Sequence, residues 1–239
     1  MVCLANDDKL SLAPLENPQK VLDIGTGTGI WAINFAKDFR SCELSWVPPN
    51  CHFELDNCEL EWTFGNESLG YVHIRGMVDC IQDWRALYRE ACRCLKPSGR
   101  LEHTELFPDD RTWHTLGQVF REASENMGRT FEATLIWEQW IREAGFSGIV
   151  YKEMVKLSIN DWANERKWKE VGLFNRASLE QGLEGFASYI FTALLGWQKQ
   201  EVDVLLAKVR LAIKDRLLQA YCPQKIIYVQ KPLRRTKAL

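Results

Sequence analysis

The chain predicts an α/β fold on a mostly parallel sheet, from two observations. The run Val21-Leu22-Asp23-Ile24-Gly25-Thr26-Gly27-Thr28-Gly29-Ile30-Trp31 is a short apolar strand that enters a glycine-rich turn and leaves it as an amphipathic helix. Further along, Gly70 to Arg75 alternates like a strand, residues 83–96 carry a helical stripe, and Arg100 to Leu106 is again strand-like. A strand-helix-strand unit of this kind implies parallel pairing.

In the first unit Val21, Leu22 and Ile24 form the strand, and Ile30, Ile33, Phe35 and Ala36 give the inner face of the helix. Gly25, Gly27 and Gly29 permit positive φ and a close approach of backbone to ligand. Asp23 lies inside the strand end, a costly place for a carboxylate unless it bonds the loop or a ligand. The spacing is G-x-G-x-G, which departs from the dinucleotide fingerprint, and no G-K-[ST] follows to cradle a phosphate.

In the second unit Trp84, Leu87, Tyr88, Ala91 and Leu95 share one helical face, and Lys96-Pro97-Ser98-Gly99 is expected to close that helix. Helices are expected at roughly 112–127 and 134–144, then a strand from Ile149 to Leu157. Residues 160–220 are too many for a loop and predict a packed helical cap. Its first helix runs from Ser178 to Leu195 and breaks at Gly196; its second, Glu201 to Tyr221, turns Val202, Leu205, Leu206, Val209 and Ile213 inward. Ile226 to Val229 is the last strand. The expected division is a core at 1–158, a cap at 159–222, and a last strand with a basic tail at 223–239.

With 239 residues, 46% hydrophobic and 26% charged, the chain can bury a full core. A formal net charge of -2 gives no electrostatic footprint for nucleic acid, and the basic run Lys231 to Lys237 reads as a solvated tail. The start carries Asn6-Asp7-Asp8-Lys9 in place of a signal-peptide apolar core, and no apolar stretch approaches ~20 residues. The expectation is a cytoplasmic or nuclear protein with no membrane and no nucleic-acid partner. The eight cysteines contain no C-x-x-C pair, and Cys42, Cys51, His52 and Cys58 fit no standard zinc spacing, so free thiols and no metal are expected.

An acidic residue on the strand followed by G-x-G-x-G is the pattern of class I methyltransferases. Over most of its length the chain resembles the LaeA-like methyltransferases of filamentous fungi. The resemblance is carried by Leu12-Ala13-Pro14, the run Val21 to Ala32, Ser45-Trp46-Val47-Pro48-Pro49-Asn50, Glu61-Trp62-Thr63-Phe64, His73-Ile74-Arg75-Gly76, Asp83-Trp84 and Cys94-Leu95-Lys96-Pro97. Leu194-Leu195-Gly196-Trp197 and Gln230-Lys231-Pro232 continue it.

The resemblance implies a seven-stranded Rossmann-like sheet, its last strand antiparallel, that binds S-adenosylmethionine. It places Asp23, Gly25, Gly27 and Gly29 around the methionine end, and Asp56 and Asn57, in the stretch Phe53 to Cys58, near the adenine. Arg75 is a candidate partner for a carboxylate of cofactor or substrate. Against the family pattern the N-terminal stretch and the second-strand region after Leu44 are short, and Asn57 stands where an aspartate is usual.

Methyl transfer asks the protein mainly to align an acceptor and, for a hydroxyl, to remove its proton. His103 and Glu105, at the end of the strand after the second helix, and His114, beyond it, are the candidate bases. Glu102 alternates with His103, so the two face opposite sides of the sheet. The expected partner is a small aromatic, indole or polyketide-type substrate or intermediate of a secondary-metabolite pathway. The alternatives are a silent auxiliary protein steering such an intermediate and a regulator that acts through a pathway or regulatory protein partner.

Overall fold

The computed structural model of the chain describes residues 2–38, 48–78, 80–106 and 133–233. The strands are β1 (Val21–Ile24), β2 (Leu69–Arg75), β3 (Leu95–Leu106), β4 (Ser147–Ser158) and β5 (Tyr221–Gln230). The helices are α1 (Val2–Ala5), α2 (Ile30–Asp38), α3 (Trp84–Cys94), α4 (Ala133–Glu143), α5 (Arg166–Tyr189) and α6 (Lys199–Lys214). Among the described residues the sheet has five strands in the order β1-β2-β3-β5-β4, where the resemblance implied seven.

β1, β2 and β3 pair in parallel, as the strand-helix-strand reading requires. β5 is antiparallel: the Ser98 N–H donates to Lys231 O and the Lys231 N–H to Gly99 O at its far end. Lys96 to Gly99 does not close α3 as a turn. The helix stops at Cys94, and β3 runs straight through these residues as a bulge, so that Leu69 pairs with Leu95 while Tyr71 pairs with Arg100. Ser98 absorbs the kink at φ +66°.

The described residues divide into two compact units, those from 10 to 105, 133–152 and 226–233 in one, and 2–9, 106 and 153–225 in the other. In the first, the glycine turn ends β1 and α2 begins at once, burying Trp31, Phe35 and Ala36. Trp31 and Phe35 pack with Ala13 and Tyr71. Asp83 caps α3 by accepting the Ala86 N–H at 2.9 Å, and the stripe Trp84, Leu87, Tyr88, Ala91 and Cys94 is buried along its length.

In the second unit α5 starts at Arg166, twelve residues before the expected Ser178, because Trp168 and Val171 pack on Ala5 and Leu157 and extend the helix backwards. It runs into a π turn, Ile190–Leu194, and stops before Gly196 at φ +71°. α6 turns Val202, Leu206, Val209 and Ile213 inward as expected, but it ends at Lys214. Asp215 accepts the Leu217 N–H at 2.9 Å to start a short 3-10 turn, and Tyr221 belongs to β5, not to the helix. The expected helix at 112–127 lies outside the described residues.

Candidate active site

The parallel register sets Asp23 beside His73, and His73 beside Glu102, so one polar row crosses three strands on the face that α2 covers. Asp23 Oδ1 is 2.7 Å from His73 Nδ1, with the histidine 2% exposed. An ionised carboxylate only accepts, so Nδ1 carries the proton. Trp31 lies flat on the imidazole, ring centroids 3.8 Å apart and planes 6° from parallel, and fixes its plane. At the far end of the row, Glu102 Oε2 accepts the backbone N–H groups of Leu12 and Ala13 at 2.8 and 2.7 Å. The Trp31 Nε1–H donates to Leu10 O at 2.8 Å, so the segment before β1 is tied to the same row.

One residue on, the alternation turns Ile74 and His103 to the opposite face, against α3 and α4. His103 is fully buried under Trp84, centroid distance 4.8 Å, with Trp137 edge-on at 4.7 Å. Its Nε2 is 2.7 Å from Glu105 Oε1, and its Nδ1 is 2.8 Å from the Tyr88 hydroxyl. With the carboxylate taking the Nε2 proton, Nδ1 accepts from the phenol. Glu105 Oε1 also accepts the Met77 N–H at 2.8 Å.

The tyrosines of the two faces share one property. Burial, helped by Glu102, pushes the Tyr71 phenol well above its usual value, and burial, helped by Glu105, does the same to Tyr88. Above pH about 10 the unfolded chain releases these protons while the folded chain keeps them, so their contribution is complete below that pH and is lost as pH rises toward the folded values. Melting temperatures taken from about pH 8 to pH 11 are expected to fall along that slope, and Tyr88→Phe is expected to flatten it.

The turn that joins β1 to α2 holds Gly25, Gly27 and Gly29 at φ +74°, +58° and +76°. A Cβ on Gly25 would strike the Met77 sulfur, and one on Gly29 would lie 2.7 Å from the Phe53 ring. A Cβ on Gly27 would meet nothing nearer than Gly25 O at 3.9 Å, so the backbone there faces open space. Asp23 sits beneath this turn, and the first N–H groups of α2 follow it. The donor set fits the amino-acid end of a zwitterionic cofactor: the first amides of a helix, which have no partner within the helix itself, for its carboxylate, and Asp23 for its ammonium.

The other expected site residues are distributed as follows. Asp56 Oδ1 accepts the Asn57 N–H at 2.8 Å and Asn57 Oδ1 accepts the Glu59 N–H at 3.0 Å, a self-contained exposed turn that begins three residues past Phe53. Arg75 ends β2, half-buried, with no ion pair among the described residues. His114 lies outside the described residues. His73 and Glu102 were not among the site residues expected from the sequence; a buried polar residue in each of three neighbouring strands is the signal, but it becomes a row only when the register is known. Among the described residues, no group of three or more His, Cys, Asp or Glu is placed to hold a metal, and no helix is long and apolar enough to cross a membrane.

A methyltransferase-domain model matches residues 3–152. The methyltransferase pytC of Aspergillus terreus is 33% identical over 248 aligned residues, 95% of this chain and 76% of that protein. This chain belongs to the LaeA-like fungal methyltransferase family. Two further relatives are the probable methyltransferase tdiE of Emericella nidulans, 30% identical over 96% of this chain and 78% of that protein, and the protein-methionine methyltransferase laeA of the same organism, 25% identical over 95% and 66%. Among solved structures, a phosphoethanolamine N-methyltransferase 2 of Haemonchus contortus, in complex with phosphomonomethylethanolamine and S-adenosylhomocysteine, superposes with a TM-score of 0.56 at 18% identity. The match covers 92% of this chain and 50% of that one. At that identity the likeness shows the fold alone, the mixed sheet of class I methyltransferases with its antiparallel last strand.

Proposed function

We propose that this LaeA-like protein is an S-adenosylmethionine-dependent methyltransferase of fungal secondary metabolism that methylates a small aromatic, indole or polyketide-type molecule. The observation that carries the reading is the turn Gly25 to Gly29: three left-handed glycines, Asp23 beneath them, and open space over Gly27. The relatives supply the context, since they are named as methyltransferases and, for LAE1 of Cochliobolus heterostrophus, as a secondary metabolism regulator.

S-adenosylmethionine supplies a methyl group on a sulfonium, which is already an activated leaving group. The chain's own part is to bind and to align. The turn amides and the start of α2 receive the carboxylate of the cofactor's amino-acid end, and Asp23, held in place by His73 and Trp31, receives its ammonium. Arg75, on the same edge of the sheet, is the cation available for a substrate carboxylate.

Calorimetric titration of the purified chain with S-adenosylmethionine tests the reading. Micromolar binding is expected, roughly -8 kcal/mol, and Asp23→Ala is expected to abolish it. A folded chain that takes up no cofactor at millimolar concentration overturns the catalytic reading in favour of an auxiliary or regulatory role.

A further inference from the structure

We infer that Glu105, backed by His103 and Tyr88, is a positioning residue for the cofactor turn and acts on it through Met77. The inference rests on the reading of that turn as the cofactor seat. Glu105 and His103 are 1% and 0% exposed, so neither meets substrate or solvent to exchange a proton with it. They instead form a series of hydrogen bonds: Tyr88 hydroxyl to His103 Nδ1, His103 Nε2 to Glu105 Oε1, and Met77 N–H to that same oxygen.

One oxygen takes two donors, which suits a carboxylate and gives charge-assisted bonds in a dry setting. Met77 is the second residue past the end of β2, reached through Gly76 at φ +68°. Its amide is fixed by Glu105, and its thioether lies where a Cβ on Gly25 would be. The turn therefore has a floor on one side, and the height of that floor is set by a carboxylate on β3. Trp84 and Trp137 lock the imidazole plane, and the α3 stripe holds the Tyr88 hydroxyl in line. A shift of Glu105 moves Met77, and Met77 cannot move toward Gly25 without displacing the turn.

Amide hydrogen exchange of the cofactor-free protein, read together with cofactor affinity, tests this. Glu105→Ala is expected to speed exchange across residues 24–29 and at Met77 by about tenfold, with the α6 amides unchanged, and to weaken S-adenosylmethionine binding by a similar factor. Glu105→Gln, which keeps an acceptor oxygen, is expected to restore most of both. Met77→Ala alters only a half-buried side chain and keeps the fold testable should Glu105→Ala misfold; it is expected to weaken binding as much as Glu105→Ala does. The double variant Glu105→Gln/Met77→Ala is expected to lose no more than Met77→Ala alone. Faster exchange at Met77 with an unchanged turn overturns the inference, and so do additive losses in the double variant. The exchange result decides the matter even if the wild-type chain binds no cofactor, so failure of the cofactor reading and failure of this one stay separate.

Discussion

Gly27→Ala is expected to leave the protein folded and to cost it at least about 100-fold in S-adenosylmethionine affinity. The two halves of that expectation have different physical origins. An alanine in the left-handed region costs about 1–2 kcal/mol, which for a chain of this size is a fall in melting temperature of a few degrees. No packing term adds to it, because a Cβ on Gly27 meets only Gly25 O, at 3.9 Å. The added methyl instead fills the open space over the turn, where the cofactor's backbone-facing atoms are to lie, and closed space there forfeits the contacts of the amides behind it. Gly25→Ala is the contrasting variant: its Cβ collides with the Met77 sulfur, so stability and affinity fall together. Melting curves and calorimetry on the pair separate ligand space from protein space. A Gly27→Ala chain that binds as tightly as wild type would mean that nothing approaches the turn.

The first half of this site was open to sequence reading because it is local. Val21 to Trp31 holds strand, turn and helix within one short run, and glycine has few other reasons to recur at every second position. The α3 stripe was legible for the same reason. The bulge in β3 was not, since Lys96-Pro97-Ser98-Gly99 has the composition of a turn and is kept in a strand by Lys231, the residue just past β5 and more than a hundred residues away. The beginning of α5 was likewise set from a distance, by Ala5 and Leu157 against Val171. His73 falls in this second class. Its strand was expected, but its partnership with Asp23 depends on the register of β1 against β2, which no local pattern encodes. Alternation in the sequence set Glu102 and His103 on opposite faces of a strand, as found, while the burial of His103 comes from Trp84 and Trp137, which no local pattern announces.

Glu102→Ala is expected to be the most destabilising single change in the row, at about 3–5 kcal/mol. The residue is 3% exposed, and one of its oxygens takes both the Leu12 and Ala13 amides. Removing it orphans two donors at once, the buried Ala13 amide and the half-buried Leu12 amide, and leaves a cavity beside Tyr71, costs that add to the lost bonds. Glu102→Gln keeps an acceptor oxygen in place and gives up only the charge, so a loss of about 1–2 kcal/mol is expected. The consequence travels by a stated route. With the amides released, the segment from Leu10 to Ala13 loses its anchor, and Leu10 O no longer holds the Trp31 indole. Trp31 is what keeps the His73 ring flat beside Asp23, so cofactor affinity is expected to fall in Glu102→Ala by more than in Glu102→Gln, and in the order of their stabilities. Denaturant midpoints, proteolytic cleavage near residues 10–16 and calorimetry on the two variants give the three readings. Equal cofactor affinity in both variants, with unequal stability, would separate the N-terminal anchor from the site and leave Glu102 a purely structural carboxylate.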